Sequence, residues 1–151
     1  MNKTNFFKKC GSYYNFPMTN LNAIIVDEER LARVNLRRQL ERIPEIEIAG
    51  EADSCESALE LINRHNPQLV LLDLQLRGET GFDLLELINK DINIIFVTAY
   101  DENAICTFKV NAIDYLSKPV NPEQLRIAIE RVKTRENKPK SETRIFVKTG
   151  L

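Results

Sequence analysis

Tryptophan is absent from this chain of 151 residues, and histidine occurs only once. The three cysteines, Cys10, Cys55 and Cys106, are an odd number without metal-type spacing, which argues against a disulfide framework and a zinc site. No apolar stretch approaches the roughly 20 residues of a membrane-spanning helix. The net charge of −1 provides no overall field for nucleic acid or anionic membranes. These absences predict a reduced, cytoplasmic, globular protein whose electrostatic function is local.

What the sequence does contain is a regular alternation of short apolar runs with amphipathic stretches. Strands are predicted over 22–26, 45–52, 68–73, 92–98 and 113–117, and helices over 28–43, 54–65, 81–90, 102–111 and 122–135. Strands that are apolar on both faces and separated by crossover helices indicate a parallel sheet covered on both sides. We therefore predict an α/β protein with a flavodoxin-like (βα)5 doubly wound parallel sheet, in the strand order 2-1-3-4-5.

The chain divides into four predicted segments. Residues 1–20 have no period and are expected to be a disordered or artefactual N-terminal extension, with Met18 as an alternative start. The α/β domain follows over 21–135, and the polar residues 136–143 are typical of a linker. Residues 144–151 begin an alternating strand that stops, so we expect them to be the start of a truncated second domain.

Acidic residues follow two strands that the predicted order places side by side. Asp73 ends the third strand, and Asp27 and Glu28 come directly after the first. Because ligands of such sheets lie beyond the carboxyl ends of the strands, we expect these three carboxylates to converge. Close like charges either share a proton or recruit a cation, and oxygen ligands without histidine or cysteine favour Mg²⁺. The alternative is that Asp27 and Glu28 merely begin a helix, where the macrodipole favours acids.

A hydroxyl group and an ammonium group are predicted at the same edge of the sheet. Thr98 ends the fourth strand, and Lys118 follows the fifth, immediately before Pro119. Together with the carboxylates, these groups suit phosphoryl transfer in which a carboxylate attacks phosphorus and the lysine and threonine bind the new group. The predicted product is an aspartyl phosphate.

Four stretches together resemble the hallmark regions of the receiver domain of two-component response regulators: IIVDEERLAR, LVLLDLQLRGETGFDLL, IIFVTAY and AIDYLSKPV. The resemblance implies that Asp73 is the phosphoacceptor and that Thr98 and Lys118 contact the phosphoryl group. It implies a switch formed by Thr98 and Tyr115. The implied Mg²⁺ ligands are Asp27, Glu28, Asp73 and the backbone carbonyl of Gln75. Two positions depart from the family, Glu28 for the commoner aspartate and Arg77 for a proline.

The resemblance also implies partners. The phosphoryl donor would be a cognate sensor histidine kinase, and the arginine-rich first helix is where similar receivers dock it. A homodimer would form through the fourth helix, fifth strand and fifth helix, with Arg131 and Lys109 among its exposed positions. The apolar positions there are predicted as core by their helical period, with the interface as the alternative; they are Phe108, Leu125, Ala128, Ile129 and Val132. Two stretches, VDEERLARVNLRRQL and RIFVKTGL, are similar to LytTR-type transcription regulators, which implies DNA binding only through a missing C-terminal domain and no membrane partner.

Other interpretations of the same residues stay open or are disfavoured. A phosphorylation-independent pseudo-receiver is the main rival, supported by Glu28 and Arg77. A haloacid-dehalogenase-like phosphatase would need a second aspartate where Gln75 stands, and flavin phosphate would be repelled by the acidic edge. His65 is predicted as a surface residue, and Arg33 as part of a solvated helix face paired with Glu29. We expect no enzyme activity beyond self-phosphorylation and dephosphorylation.

Overall fold

The computed structural model describes residues 20–100 and 112–138, in which strands and helices alternate along the chain. The elements are β1 Leu21–Val26, α1 Arg30–Glu41, β2 Ile46–Ala52, α2 Cys55–His65, β3 Leu69–Leu72, β4 Gln75–Leu76, β5 Glu79–Thr80, α3 Gly81–Leu87, β6 Asn93–Thr98, β7 Asp114–Ser117 and α4 Pro122–Glu136. The N-terminal extension, the predicted helix over 102–111 with Phe108 and Lys109, the linker beyond Lys138 and the strand over 144–151 lie outside the described residues. Within the described ranges, no helix has the length and apolar character needed to cross a membrane.

The main sheet has five parallel strands in the order β2-β1-β3-β6-β7, which confirms the predicted doubly wound topology. The register pairs Val26 with Leu72 and Leu72 with Phe96, so β1, β3 and β6 end nearly level with one another. On the far side of β6, Thr98 pairs with Ser117. The residues that follow these pairs therefore emerge at one edge of the sheet.

Apolar side chains form a separate core on each face of this sheet. Helices α1 and α4 cover one face, and α2 and α3 cover the other. The core-facing residues of α4 are buried, which confirms their interpretation as core and excludes them from any docking surface; they are Leu125, Ala128, Ile129 and Val132. Burying both faces explains why the strands are apolar without alternation.

Local capping explains where the helices begin and end. Ser54 caps α2 in a reciprocal capping box with Ser57. Helix α1 begins at Arg30 rather than at Glu28, because the Asp27 side chain accepts the N–H of Glu29 and holds the chain in a turn. Helix α3 ends at Leu87, short of the predicted Lys90, because the next residue is extended.

A two-stranded antiparallel hairpin, β4 and β5, follows the end of β3 and was not predicted. Its turn is formed by Arg77 and Gly78, and Gly78 has a φ of +71°, which favours glycine. A proline in place of Arg77, as the resemblance leads us to expect, would fix the backbone φ angle there. In this chain the pairing of β4 with β5 restrains the backbone instead.

Candidate functional site

The candidate site lies at the carboxyl ends of β1 and β3, where two aspartates stand side by side. Asp27 and Asp73 directly follow the paired residues Val26 and Leu72, and both are buried. Each carboxylate has one oxygen held by the backbone two residues further on. The N–H of Glu29 donates to Asp27 Oδ1 at 2.9 Å, and the N–H of Gln75 donates to Asp73 Oδ1 at 3.0 Å. The two carboxylates are thus oriented in the same way, each with its second oxygen directed elsewhere.

Lys118 binds both of those second oxygens. Its Nζ lies 2.6 Å from Asp27 Oδ2 and 2.7 Å from Asp73 Oδ2. The backbone N–H of Lys118 donates to the carbonyl of Thr98 at 3.0 Å, which continues the pairing of β6 with β7 past the end of the strands. The following peptide bond, to Pro119, is cis. The structure therefore brings Asp27, Asp73 and Lys118 together, as the sequence predicts.

One ammonium serves two buried carboxylates, and the pKa values reflect the imbalance. Burial raises the pKa of Asp27 more than the hydrogen bond from Lys118 lowers it, and the charge of Asp73 raises it further. Burial would lower the pKa of Lys118, but its bonds to Asp27 and Asp73 outweigh that effect and raise it. Lys118 is consequently held in its charged form, and its one ammonium faces two carboxylates.

The predicted convergence of all three carboxylates is not found. Across residues 20–100 and 112–138, no three acidic, histidine or cysteine side chains are grouped as a metal ion would require. Glu28 is half-buried but does not complete such a group, and the ammonium of Lys118 lies between Asp27 and Asp73. The two aspartates nevertheless share one cation, and all donors at this edge are oxygens, so the side chains present suit Mg²⁺.

Thr98 and Tyr115, the predicted switch residues, occupy different environments. Thr98 is buried at the end of β6, and its Oγ1 accepts the N–H of Tyr100 at 3.3 Å. Tyr115 is half-buried, and its ring stacks on its cross-strand partner Phe96 with centroids 5.3 Å apart. Thr98 is therefore placed at the site, whereas Tyr115 packs in the core one strand further from Asp73.

Gly81, at the start of α3, brings that helix against the loop that carries Asp73. Its N–H donates to the carbonyl of Leu74 at 2.8 Å. A Cβ at this position would lie 2.7 Å from the carbonyl oxygen of Asp73, closer than any side chain can approach. The absence of a side chain at Gly81 thus fixes how closely α3 approaches the backbone from Asp73 to Gln75.

Sequence reasoning missed one residue at this edge, Arg33. The sequence predicts that Arg33 pairs with Glu29 on a solvated face of the helix. In the structure, the Arg33 guanidinium instead donates to Glu51 and to the backbone carbonyl of Asp27. The prediction failed because the i,i+4 rule considers only one helix, whereas Arg33 faces the end of β2. His65 is exposed at the end of α2, as predicted, and takes no part in the site.

A buried carboxylate pair, a bridging lysine and a hydroxyl at the end of a neighbouring strand form a set of groups that can bind and transfer a phosphoryl group. The lysine and hydroxyl can donate to phosphoryl oxygens, and a carboxylate oxygen can act as nucleophile. Among the residues that the structure describes, His65 lies at the far end of α2 from this edge, and Cys55 is buried at the start of that helix.

Known proteins resemble this chain in sequence. The model of the response regulator receiver domain family matches residues 23–130. The sensory transduction protein LytT of Bacillus anthracis is 41% identical over 116 residues, which cover 75% of this chain and 47% of that protein. The LytT protein of Enterococcus faecalis is 37% identical over 135 residues, which cover 81% of this chain and 56% of that protein. The chain thus spans about half the length of the curated relatives it matches.

Solved structures agree with the fold. The solution structure of the REC domain of the Erythrobacter litoralis PhyR response regulator superposes with a TM-score of 0.72 at 29% identity, covering 82% of this chain and 98% of that domain. The receiver domain of the response regulator NarL from Mycobacterium tuberculosis gives a TM-score of 0.67 at 25% identity, covering 76% and 97%. These matches and the family model confirm the resemblance stated from the motifs.

Proposed function

This chain belongs to the family of response regulator receiver domains, and we propose that Asp73 is its phosphoacceptor and receives a phosphoryl group from a sensor histidine kinase. The observation that carries the proposal is the bridge from Lys118 to both Asp27 and Asp73 at the carboxyl edge of the sheet. A lysine placed there can bind the Asp73 carboxylate before the transfer and the oxygens of the new phosphoryl group after it. The protein would act as a switch and not as an enzyme with a separate substrate.

In the proposed step, a carboxylate oxygen of Asp73 attacks phosphorus and the bond from phosphorus to the donor breaks. With phosphohistidine as donor, the P–N bond breaks and the imidazole nitrogen keeps the electron pair. Lys118 would then donate to the phosphoryl oxygens, as would the hydroxyl of Thr98. The N–H of Gln75 holds one oxygen of Asp73 throughout, which keeps the carboxylate oriented for attack.

We propose that Asp27, Glu28, Asp73 and the backbone carbonyl of Gln75 would hold Mg²⁺. The ion, when bound, supplies positive charge to the equatorial oxygens of the transferring group. Two carboxylates that share a single ammonium, and a proposed ligand set made only of oxygens, support this assignment. Glu28 would have to turn toward the aspartates to join them.

Phosphorylation would replace the single negative charge of the Asp73 carboxylate with roughly −1.5 to −2 charges on the phosphoryl group. We propose that Thr98 moves toward the new group and that Tyr115 then shifts from its stack on Phe96, which changes the surface around β7 and α4. That surface would mediate dimerisation. The output would be a DNA-binding domain of the LytTR type beyond residue 143, in a cytoplasmic transcription regulator.

The test is incubation of the full chain with acetyl phosphate and Mg²⁺, followed by measurement of the intact mass. We expect the gain of one phosphoryl group, its loss in Asp73→Ala, and no gain when Mg²⁺ is chelated. Asp53→Ala is the matched control, because Asp53 follows β2 at the same edge but is exposed and distant from Lys118 in the strand order. It should accept the phosphoryl group like the unchanged protein.

The competing proposal is a phosphorylation-independent interaction module that uses the same fold as a scaffold. The grouping of two carboxylates instead of three favours it. Under that proposal the intact mass stays unchanged with acetyl phosphate in every variant, and the Asp73→Ala substitution has no effect on partner binding.

A further inference from the structure

Arg33 is the one side chain of α1 that reaches back to the loop from which Asp27 and Glu28 project. Its Nη1 donates to the carbonyl of Asp27 at 2.7 Å and to the carbonyl of Glu28 at 3.3 Å. Its Nε donates to Glu51 Oε1 at 3.2 Å, and the side chain is only 16% exposed. The guanidinium is therefore fixed on both sides, with the end of β2 on one and the acidic loop on the other.

Helix stability does not explain an arginine at this position. Arg33 lies in the first turn of α1, where the macrodipole disfavours a cation. An ion pair between α1 and β2 does not require it either, because Arg37 on the next turn already pairs with Glu51 through its own Nε. What Arg33 adds beyond Arg37 is the pair of bonds to the carbonyls of Asp27 and Glu28.

Those two bonds restrain the backbone carbonyls of the loop, which its other bonds leave to Arg33. Glu29, the N-cap residue of α1, makes no side-chain capping bond. The N–H of Asp27 donates to the carbonyl of Ala52, and the N–H of Glu29 donates to the Asp27 side chain, which Lys118 also binds. Arg33 thus holds the backbone carbonyls of Asp27 and Glu28, the two residues of this loop whose carboxylates are proposed as metal ligands.

We propose that Arg33 is a positioning residue for the metal site: it holds the backbone of Asp27 and Glu28, from which two of the proposed Mg²⁺ ligands project. This inference rests on the proposed function, since it assigns a role at the same site. Residues that orient metal ligands without touching the metal typically change affinity by about 10- to 100-fold when they are substituted. If Arg33 only repelled Mg²⁺, its substitution would instead strengthen Mg²⁺ binding. The direction of the change in Mg²⁺ affinity therefore distinguishes positioning from repulsion.

The experiment measures the Mg²⁺ dissociation constant of the full chain by isothermal titration calorimetry, and the Mg²⁺ dependence of phosphorylation by acetyl phosphate. Arg33→Ala should raise the dissociation constant about 10-fold or more, and saturating Mg²⁺ should restore most of the phosphorylation rate. Arg37→Ala is the matched control, because it removes the other partner of Glu51 and leaves the carbonyl contacts intact. It should change the dissociation constant less than about 2-fold.

Arg33→Lys keeps the charge and the aliphatic stem but cannot bind Glu51 and two carbonyls with one planar group. It should also weaken Mg²⁺ binding, which keeps the test decisive if Arg33→Ala fails to fold. An unchanged or lower dissociation constant in the folded Arg33 variants, or equal losses in the Arg33 and Arg37 variants, overturns the positioning role alone. If the unchanged protein binds no Mg²⁺, the proposed metal site and this inference fail together.

Discussion

At the scale of single residues, Gly81 determines how closely α3 can approach the loop that carries Asp73. A methyl group there would meet the Asp73 carbonyl oxygen at 2.7 Å and the Leu74 Cα at 3.2 Å. Both neighbours are backbone atoms that cannot rotate away. Gly81→Ala should therefore lower the free energy of unfolding by about 1 to 3 kcal/mol, as overpacking does. It should also slow phosphorylation by acetyl phosphate, because the backbone of the proposed nucleophile must shift.

Gly78→Ala is the control for this prediction, since an added Cβ there meets nothing within 4 Å. Its positive φ still makes the substitution cost about 1 to 2 kcal/mol. Denaturant unfolding would show a loss for both variants, but the phosphorylation time course by intact mass should slow only in Gly81→Ala. Equal rates in the two variants would show that the approach of α3 does not position Asp73.

Cys55 is a residue whose chemistry is determined by burial. Burial in the core and the hydrogen bond and charge of Glu79 raise the pKa of its thiol to about 12. Because the usual value is 9.0, the folded protein keeps the proton more tightly than the unfolded chain. The associated destabilisation is absent below pH 9, grows as the pH rises toward 12, and is complete above that.

Since the thiolate is the reactive form, Cys55 should resist iodoacetamide at pH 8 in the folded protein. Peptide mapping by mass spectrometry should show at least 10-fold slower alkylation of Cys55 than in the same protein unfolded by guanidinium chloride. Alkylation at the same rate in both states would contradict the burial of this thiol at the start of α2.

At the scale of elements, the strands could be predicted from the sequence because β1, β3 and β6 are buried on both faces and contain almost only apolar residues. Their order followed from the rules for crossover connections, which also brought Asp27 beside Asp73. The hairpin of β4 and β5 was missed because two-residue strands have no period to detect. The role of Arg33 was missed because it depends on contacts between α1 and the end of β2, which no local pattern describes.

The last turn of α4 is anchored to the opposite end of the sheet from the candidate site. Asn93 is buried at the start of β6, where its Nδ2 donates to the Gln68 carbonyl at 2.8 Å and to Glu136 at 2.9 Å. Its Oδ1 accepts from Arg135 at 2.6 Å. Asn93→Ala should cost about 1 to 3 kcal/mol and speed amide hydrogen exchange over residues 133–136, because the helix end loses its attachment.

Arg131→Ala is the matched control on the same helix. Its ion pair with Asp114 lies on the surface with Arg131 57% exposed, and such pairs contribute less than about 1 kcal/mol. Hydrogen exchange at the end of α4 should stay unchanged in this variant. Similar exchange rates in Asn93→Ala and the unchanged protein would mean that core packing alone holds the end of the helix.

At the scale of the whole molecule, the fold stabilises an edge that is itself electrostatically unfavourable. Two apolar cores surround the sheet, while Asp27 and Asp73 are buried with one lysine between them. The sequence could predict which side chains meet, because strand order fixes that. It could not predict that Lys118 would bridge the aspartates while Glu28 stays outside the group. These contacts depend on the exact positions of side-chain atoms, which the strand order does not determine.

That imbalance predicts that Mg²⁺ stabilises the folded chain as a whole. A ligand bound only by the native state contributes about 2.7 kcal/mol at 100 times its dissociation constant. For a chain of this size, that corresponds to a rise in melting temperature of about 5 to 10 °C. Thermal unfolding monitored by circular dichroism should show the rise in MgCl₂ but not in NaCl of equal ionic strength, and chelation should reverse it.

The rise should disappear in Asp27→Asn and Asp73→Asn, because each removes one of the two carboxylate charges that Lys118 only partly balances. Asp53→Asn should keep it, since Asp53 is exposed at the end of the outer strand β2. A melting temperature that responds equally in all three variants would assign the stabilisation to general screening of surface charge, which acts over about 10 Å at 0.1 M salt and does not depend on this edge. If the Mg²⁺-induced rise in melting temperature is lost only in Asp27→Asn and Asp73→Asn, the ion binds at the two aspartates that Lys118 bridges.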